Sequence, residues 1–356
     1  MHANRRGPMD YSGGMTRLRI LRLAIVPLSL AIALAATAQT AASYRYFRMG
    51  NQADAKVDSQ SGFALMGGGD DLDDAFRWLC KRSGGGDLLV LRAHGDDEYN
   101  SYIKDLCHLN SVATVIIPDR AAAMDPFVEK AIRRASGLFI AGGDQANYIN
   151  FWMGSPVEEA LNDAIRRGVP IGGTSAGLAV LGEYVYTAQG DKPEDADLDS
   201  KTALADPFGP RITLAHEFLQ IPILKGLITD THFAKRNRMG RSLVFLARVN
   251  QLDGKPAATS TPRIHGIGVQ ERAAVLLEPN GKATVIGHGN VYFIRPTGFA
   301  DTLEPGKPLT FRTTEVQKVS PKHTFDLKAW QGDATHYTLS VEAGTVTSTQ
   351  PGGGIY

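Results

Sequence analysis

The feature that most constrains this chain is a series of short, wholly apolar runs, each ending in a glycine-rich or polar turn. They span residues 62–66, 88–91, 112–117, 138–141 and 169–171. Amphipathic stretches separate them. One begins at Asp73 with Phe76, Trp78 and Leu79 as apolar positions, and others cover residues 99–109, 125–135 and 157–167. Strands without polar alternation are buried on both faces, and helical crossovers make neighbouring strands parallel. The expected fold class is therefore α/β, a mostly parallel doubly wound sheet flanked by helices. Ligands of such sheets lie beyond the carboxyl ends of the strands. Gly67-Gly68-Gly69, Gly142-Gly143 and the turn after Ile171 should then share one edge.

That last turn has the form of a nucleophile elbow, Gly173-Thr174-Ser175-Ala176-Gly177. A sharp strand-to-helix turn lifts a hydroxyl clear of the sheet, and the following helix start points free N–H groups at a developing oxyanion. The spacing places the break of the strand at Gly172-Gly173 and a helix from Ala176.

The totals exclude some functions. A net charge of +1 over 356 residues leaves no basic footprint for nucleic acid or an anionic membrane. At the start, Arg17, Arg19 and Arg22 precede an apolar run that ends at Ala36-Thr37-Ala38, the pattern of a secretory signal peptide. Met1 and Met15 are both candidate starts. The expected division is a signal peptide over 1–38, a polar lead-in over 39–60, an α/β domain over 61–296 and a β-rich C-terminal extension over 297–356. The mature form is expected in the periplasm or outside the cell, without a membrane anchor. Export permits Cys80 and Cys107 to pair, and two buried free thiols fit the sequence as well.

Farther along, residues 191–209 read as an acidic loop, either a lid near the site or a surface insertion. Residues 226–230 form an apolar strand running into Thr231-His232-Phe233, and a helix opens among Arg236, Arg238 and Arg241. Beyond Pro262 the pattern turns to hairpins.

A serine nucleophile needs a base, and the base needs an orienting acid. His232 is the expected base because it follows a buried strand at the edge that should carry Ser175. His94 is its rival, and His216 and His265 are weaker. Glu271, after the apolar Gly266–Val269 segment, is the expected acid, with Asp230 as competitor. In this order the acid comes last, which argues against the α/β-hydrolases. Arg238 and Arg241, three apart, should share a helix face and offer guanidinium forks to a carboxylate, with Arg236 pointing elsewhere unless the helix starts after it.

These residues carry a resemblance. Gly142-Gly-Asp-Gln145, Gly173-Thr-Ser-Ala-Gly177, Asp230-x-His-Phe233 followed by the three arginines, and Gly266-Ile-Gly-Val-x-Glu271 resemble the cyanophycinase family of serine exopeptidases. That family is related to dipeptidase E and has a fold like class I glutamine amidotransferases. The resemblance implies Ser175 as nucleophile, His232 as base and Glu271 as its acid, with an oxyanion hole at Gly143 and Ala176. It implies a substrate pocket lined by Gln145, Thr174, Asp230, Thr231, Arg236, Arg238 and Arg241. It also implies a homodimer acting on cyanophycin, or on other aspartyl or isoaspartyl peptides, without metal or cofactor. A binding protein on the same fold that has lost turnover is the more distant alternative. Family members commonly carry glutamine at the position of Thr231 and aspartate at that of Gln270, and residues 92–98 also depart from the cytoplasmic enzymes.

Overall fold

The computed structural model describes residues 43–192, 195, 197–252 and 261–356. The segment expected to be a signal peptide lies outside them. The first half runs β1 (Arg45–Gly50), β2 (Phe63–Met66), α1 (Asp73–Arg82), β3 (Asp87–Arg92), α2 (Glu98–Leu106), β4 (Ser111–Ile116), α3 (Arg120–Ala123), α4 (Pro126–Arg134), β5 (Gly137–Ile140), α5 (Gln145–Trp152), α6 (Pro156–Arg166) and β6 (Ile171–Thr174). The second half runs α7 (Ala176–Ala179), β7 (Tyr184–Tyr186), α8 (Ser200–Ala205), β8 (Leu214–His216), β9 (Leu227–Asp230), α9 (Met239–Val249), β10 (His265–Val269), β11 (Ala273–Leu277), β12 (Lys282–Gly287) and β13 (Val291–Pro296). The remaining strands are β14 (Phe311–Val319), β15 (Thr324–Asp326), β16 (Gln331–Gly332), β17 (Thr335–Glu342) and β18 (Thr345–Ser348).

The apolar runs become β2 to β6, which pair in parallel in the order β4-β3-β5-β6-β2. Alternate side chains of each strand enter opposite cores. Leu89 and Leu91 pack toward α4 and α6, while Leu88 and Val90 pack toward α1 and α2. This is the doubly wound arrangement. The helices begin where local chemistry allows: Asp125 and Ser155 accept from backbone N–H groups as N-caps, each followed by proline at the first helical position.

Three features differ from the sequence reading. The lead-in contains β1, antiparallel to β4 at the sheet edge; its half-exposed side chains give no apolar run. Gly172 and Gly173 do not break β6 but lie within it. A Cβ on Gly172 would come 3.1 Å from that of Ala64 on β2, and one on Gly173 would come 2.5 Å from the Gly177 backbone. The glycines are there for close approach, not for a turn.

The third difference is that there are two sheets. β11, β12, β15 and β16 extend the first sheet antiparallel beyond β2. The second sheet has the order β18-β17-β14-β13-β10-β9-β7-β8, so the strand before His232 is not in the sheet that carries Ser175. Strands from residues 297–356 join both sheets, and Ala42–Tyr356 form one compact unit. Cys80 and Cys107 are joined in a disulfide that links the end of α1 to the end of α2.

Candidate active site

The site forms where the two sheets meet. Ser175 follows β6, His232 follows β9, and Glu271 sits on the connection from β10 to β11, where the chain crosses from the second sheet to the first. Parallel register brings the ends together. Asp230 pairs with Gly268, so His232 and Glu271 both lie just past the same edge, and Ser175 N–H donates to the Met66 carbonyl at 3.1 Å.

Ser175 Oγ is 2.7 Å from His232 Nε2, and His232 Nδ1 is 2.7 Å from Glu271 Oε1. The elbow is strained: Ser175 has φ 53° and ψ −120°, a region few side chains occupy. Glycines two residues to either side, Gly173 and Gly177, let the chain pack closely around it. A Cβ on Gly177 would come 2.0 Å from the Ile140 carbonyl oxygen. The triglycine seats the base. A Cβ on Gly68, itself at φ +87°, would come 2.5 Å from the His232 ring, and Gly67 accepts from His232 N–H at 2.8 Å. Gly268 plays the same part for Phe233, whose ring lies 2.5 Å from where a Cβ would stand.

The expected oxyanion donors flank the nucleophile. Ala176 opens α7, and Gly143 follows Gly142, where a Cβ would be 3.5 Å from that of Ser175. Tyr148 holds this turn by donating to the Ala141 carbonyl at 2.8 Å. The rival histidines are elsewhere: His94 and His216 are exposed, and His265 packs against Trp330, where burial pushes its imidazole down to about 4.

A cavity of about 240 Å3 opens beside Ser175. Gln145, Thr231, Arg236, Arg238 and Arg241 line it, together with Asp191, Lys192, Asp195 and Asp197 of the acidic loop. Thr174 and Asp230, expected in this lining, stand behind it. Thr174 is buried at the end of β6 beside Met66. Asp230 is buried and committed to Arg241, accepting from Nε at 2.8 Å and from Nη2 at 2.6 Å.

α9 starts at Met239 with Arg238 as its N-cap, and Arg238 and Arg241 reach the same carboxylate oxygen, Asp230 Oδ1, at 3.5 and 2.6 Å. Arg236, ahead of the helix, also lines the cavity, and it converges with Arg238 on Asp197 Oδ2, at 2.6 and 2.9 Å. Arg238 also donates to Thr231 through its carbonyl oxygen at 3.0 Å and its hydroxyl at 3.2 Å. Gln270 is away from the pocket and staples the Glu271 turn, accepting from Asn290 N–H at 2.6 Å and donating to Tyr292 at 3.1 Å.

Sequence reasoning missed three supports of this site. Lys235 Nζ lies 2.9 Å from Glu271 Oε2, so both oxygens of the acid are held. Asp197 is the second. Tyr356 is the third: its hydroxyl accepts from Met239 N–H at 2.9 Å and lies 3.0 Å from Asn237 Oδ1, bracing the turn between the arginines. Lys235 was legible as a charge three residues after His232; the other two partners are too distant along the chain for any spacing rule.

Burial pushes His232 below the ordinary histidine value of 6.5. The bond to Glu271 opposes this, and Arg236 and Arg238 add to it. Burial would raise Glu271, but its bonds to His232 and Lys235 outweigh that and hold it below the ordinary carboxylate value. Neutral His232 is the form that can accept a proton, so the acid limb of kcat/KM is expected below pH 6.5. Lys235→Met removes a cation facing this pair and should move the limb upward, by less than about one unit because Lys235 is largely exposed. Lys235→Arg should leave it in place. A pH profile in which the Met variant's limb moved down would contradict this electrostatic account.

An elbow serine, a buried histidine and a carboxylate aligned through both imidazole nitrogens, beside a pocket at the sheet edge, define a serine hydrolase site. The sequence model of Peptidase family S51 matches residues 64–206 of this chain. It is 28% identical over 218 residues to the cyanophycinase of Nostoc sp., covering 59% of this chain and 63% of that protein. The match thus spans less than two thirds of that relative. The cyanophycinase of Synechococcus elongatus is 25% identical over 268 residues, covering 71% of this chain and 74% of that protein. Among solved structures, a peptidase from an acI-B1 Actinobacterium matches at a TM-score of 0.48 and 15% identity, over 76% of this chain and 98% of that one.

Proposed function

We propose that the chain is a serine exopeptidase that hydrolyses cyanophycin, multi-L-arginyl-poly-L-aspartate, to β-Asp-Arg dipeptides, and that it does so in the periplasm or outside the cell. The observation that carries the reading is the unbroken line Ser175–His232–Glu271 at the mouth of a pocket containing both signs of charge. The two relatives named above support the choice of substrate. A zwitterionic arginyl-aspartate ligand offers carboxylates to Arg236 and Arg238 and a guanidinium to the acidic loop. The N-terminal signal pattern supports export, as does the Cys80–Cys107 bridge, a bond that persists in oxidising compartments.

In this mechanism Ser175 Oγ bonds to the scissile carbonyl carbon as its proton passes to His232 Nε2. The carbonyl π pair moves to oxygen, where the N–H groups of Gly143 and Ala176 meet it. Collapse breaks the C–N bond, and His232 gives its proton to the leaving amine. Water, deprotonated by His232, then cleaves the acyl ester and restores Ser175. Glu271 holds the imidazole tautomer with the proton on Nδ1 and stabilises the cation formed in each half-reaction.

The test is incubation of the purified chain with cyanophycin and chromatography of the product. Release of β-Asp-Arg is the expected result. Cleavage of short aspartyl or isoaspartyl peptides without release from the polymer would move the assignment to those substrates. Thr231 favours that second reading, because its shorter side chain is drawn onto Arg238 and reshapes the pocket floor beside the base. No cleavage of any of them would overturn both.

A further inference from the structure

Two carboxylates meet arginines at this pocket, and they do so differently. Asp230 uses both oxygens on Arg241, and both side chains are sealed, at 7% and 2% exposed. Asp197 places one oxygen, Oδ2, between Arg236 and Arg238 and is 51% exposed. The Arg238 guanidinium is 8% exposed and anchored on Thr231, so it cannot follow a departing partner. Its Nε is buried and has no hydrogen-bond partner among the described residues. The Arg238 half of the seat is held in place and incompletely satisfied, while Arg236, at 42% exposed, and the occupant Asp197 are its exposed members.

We propose that Asp197 is a tethered occupant of a carboxylate seat formed by Arg236 and Arg238, and that it sets specificity by excluding small acids that offer carboxylates and no further contacts. The proposal rests on reading this pocket as the peptide-binding site. A group tethered in the same chain competes at an effective concentration of roughly millimolar. One oxygen shared by two arginines is a weaker arrangement than the two parallel bonds of a guanidinium–carboxylate fork. A peptide that adds a fork to contacts at the oxyanion donors and the acidic loop therefore displaces Asp197. A small acid, having only its carboxylates, does not. Among the other charges facing the seat, Asp191 and Asp195 are drawn to Arg211 at 2.5 and 3.9 Å, and Lys192 lines the same cavity.

The experiment is calorimetric titration of succinate into the full chain carrying Ser175→Ala, alone and combined with Asp197→Asn or with Asp197→Ser. Either added substitution is expected to tighten succinate binding about tenfold, equivalent to roughly 1.4 kcal/mol. Adding Arg238→Gln to the Asp197→Ser background should abolish the gain. Tightening in either Asp197 variant supports the seat, and binding unchanged or weaker in both overturns it. Cyanophycin hydrolysis by the unsubstituted chain is scored separately. Hydrolysis without tightening refutes the seat alone, while tightening without hydrolysis refutes the cyanophycin assignment and leaves the seat.

Discussion

Ser175→Ala is expected to reduce cyanophycin hydrolysis about a thousandfold to a millionfold while leaving the fold intact. The large effect follows from what one oxygen does. Its removal deletes the covalent intermediate and leaves His232 with no proton to take, since Oγ is the group 2.7 Å from Nε2. The oxyanion donors and the pocket remain, so the residue of activity measures binding and electrostatic stabilisation alone. The elbow adds a second, opposite readout. Alanine retains the strain of φ 53°, whereas glycine occupies that region freely. Ser175→Gly should therefore melt above Ser175→Ala, by the equivalent of about 1 kcal/mol, and be as inactive. Substantial turnover in either variant would remove Ser175 from the mechanism. Equal melting temperatures would mean that the elbow is not strained.

Much of this architecture was legible because its signals are local. Apolar runs such as Leu88–Val90–Leu91 and Leu138–Phe139–Ile140 must be buried on both faces, and the turns after them share an edge for reasons of topology. Ser175, His232 and Glu271 could be chosen because each ends a buried strand. Features set by distant partners were not legible. A glycine that permits sheet packing reads the same as one that breaks a strand, and only the approach of Ala64 to Gly172 places that glycine inside β6. Strand β1 has an edge-strand pattern, Arg45-Tyr-Phe-Arg-Met-Gly50, whose half-exposed side chains resemble a polar loop. Helical spacing brings Arg238 and Arg241 to one carboxylate, Asp230, but carries no sign that Arg236, ahead of the helix, joins the pocket. Which arginine serves the pocket is decided by acids 39 and 11 residues away, Asp197 for Arg236 and Asp230 for Arg241.

Asp230→Asn is expected to destabilise the chain by about 3–5 kcal/mol, because it strands the Arg241 guanidinium in the interior without a counter-charge. Asp230 accepts from Arg241 at two positions, from Ser242 at 3.1 Å and from Thr231 N–H at 2.8 Å. Burial alone would raise its carboxyl, yet Arg241 and Arg238 outweigh burial and keep it below the ordinary value. Once the charge is gone, Arg241 retains a neutral amide oxygen at that position, the Leu198 carbonyl at 3.1 Å and the faces of Tyr186 and Phe245, at 5.1 and 5.8 Å from the guanidinium carbon. A melting point lower by on the order of 10 °C is the expected result. The double substitution Asp230→Asn with Arg241→Met should recover part of the loss, since a buried ion pair costs more to halve than to delete. Activity should not recover with it. Asp230 also fixes the Thr231 N–H beside the base, and Thr231 in turn holds Arg238, so turnover depends on the pair as well as on the melting point. A single variant that melts with the parent, or a double variant no more stable than the single, would show that Arg241 finds its compensation elsewhere.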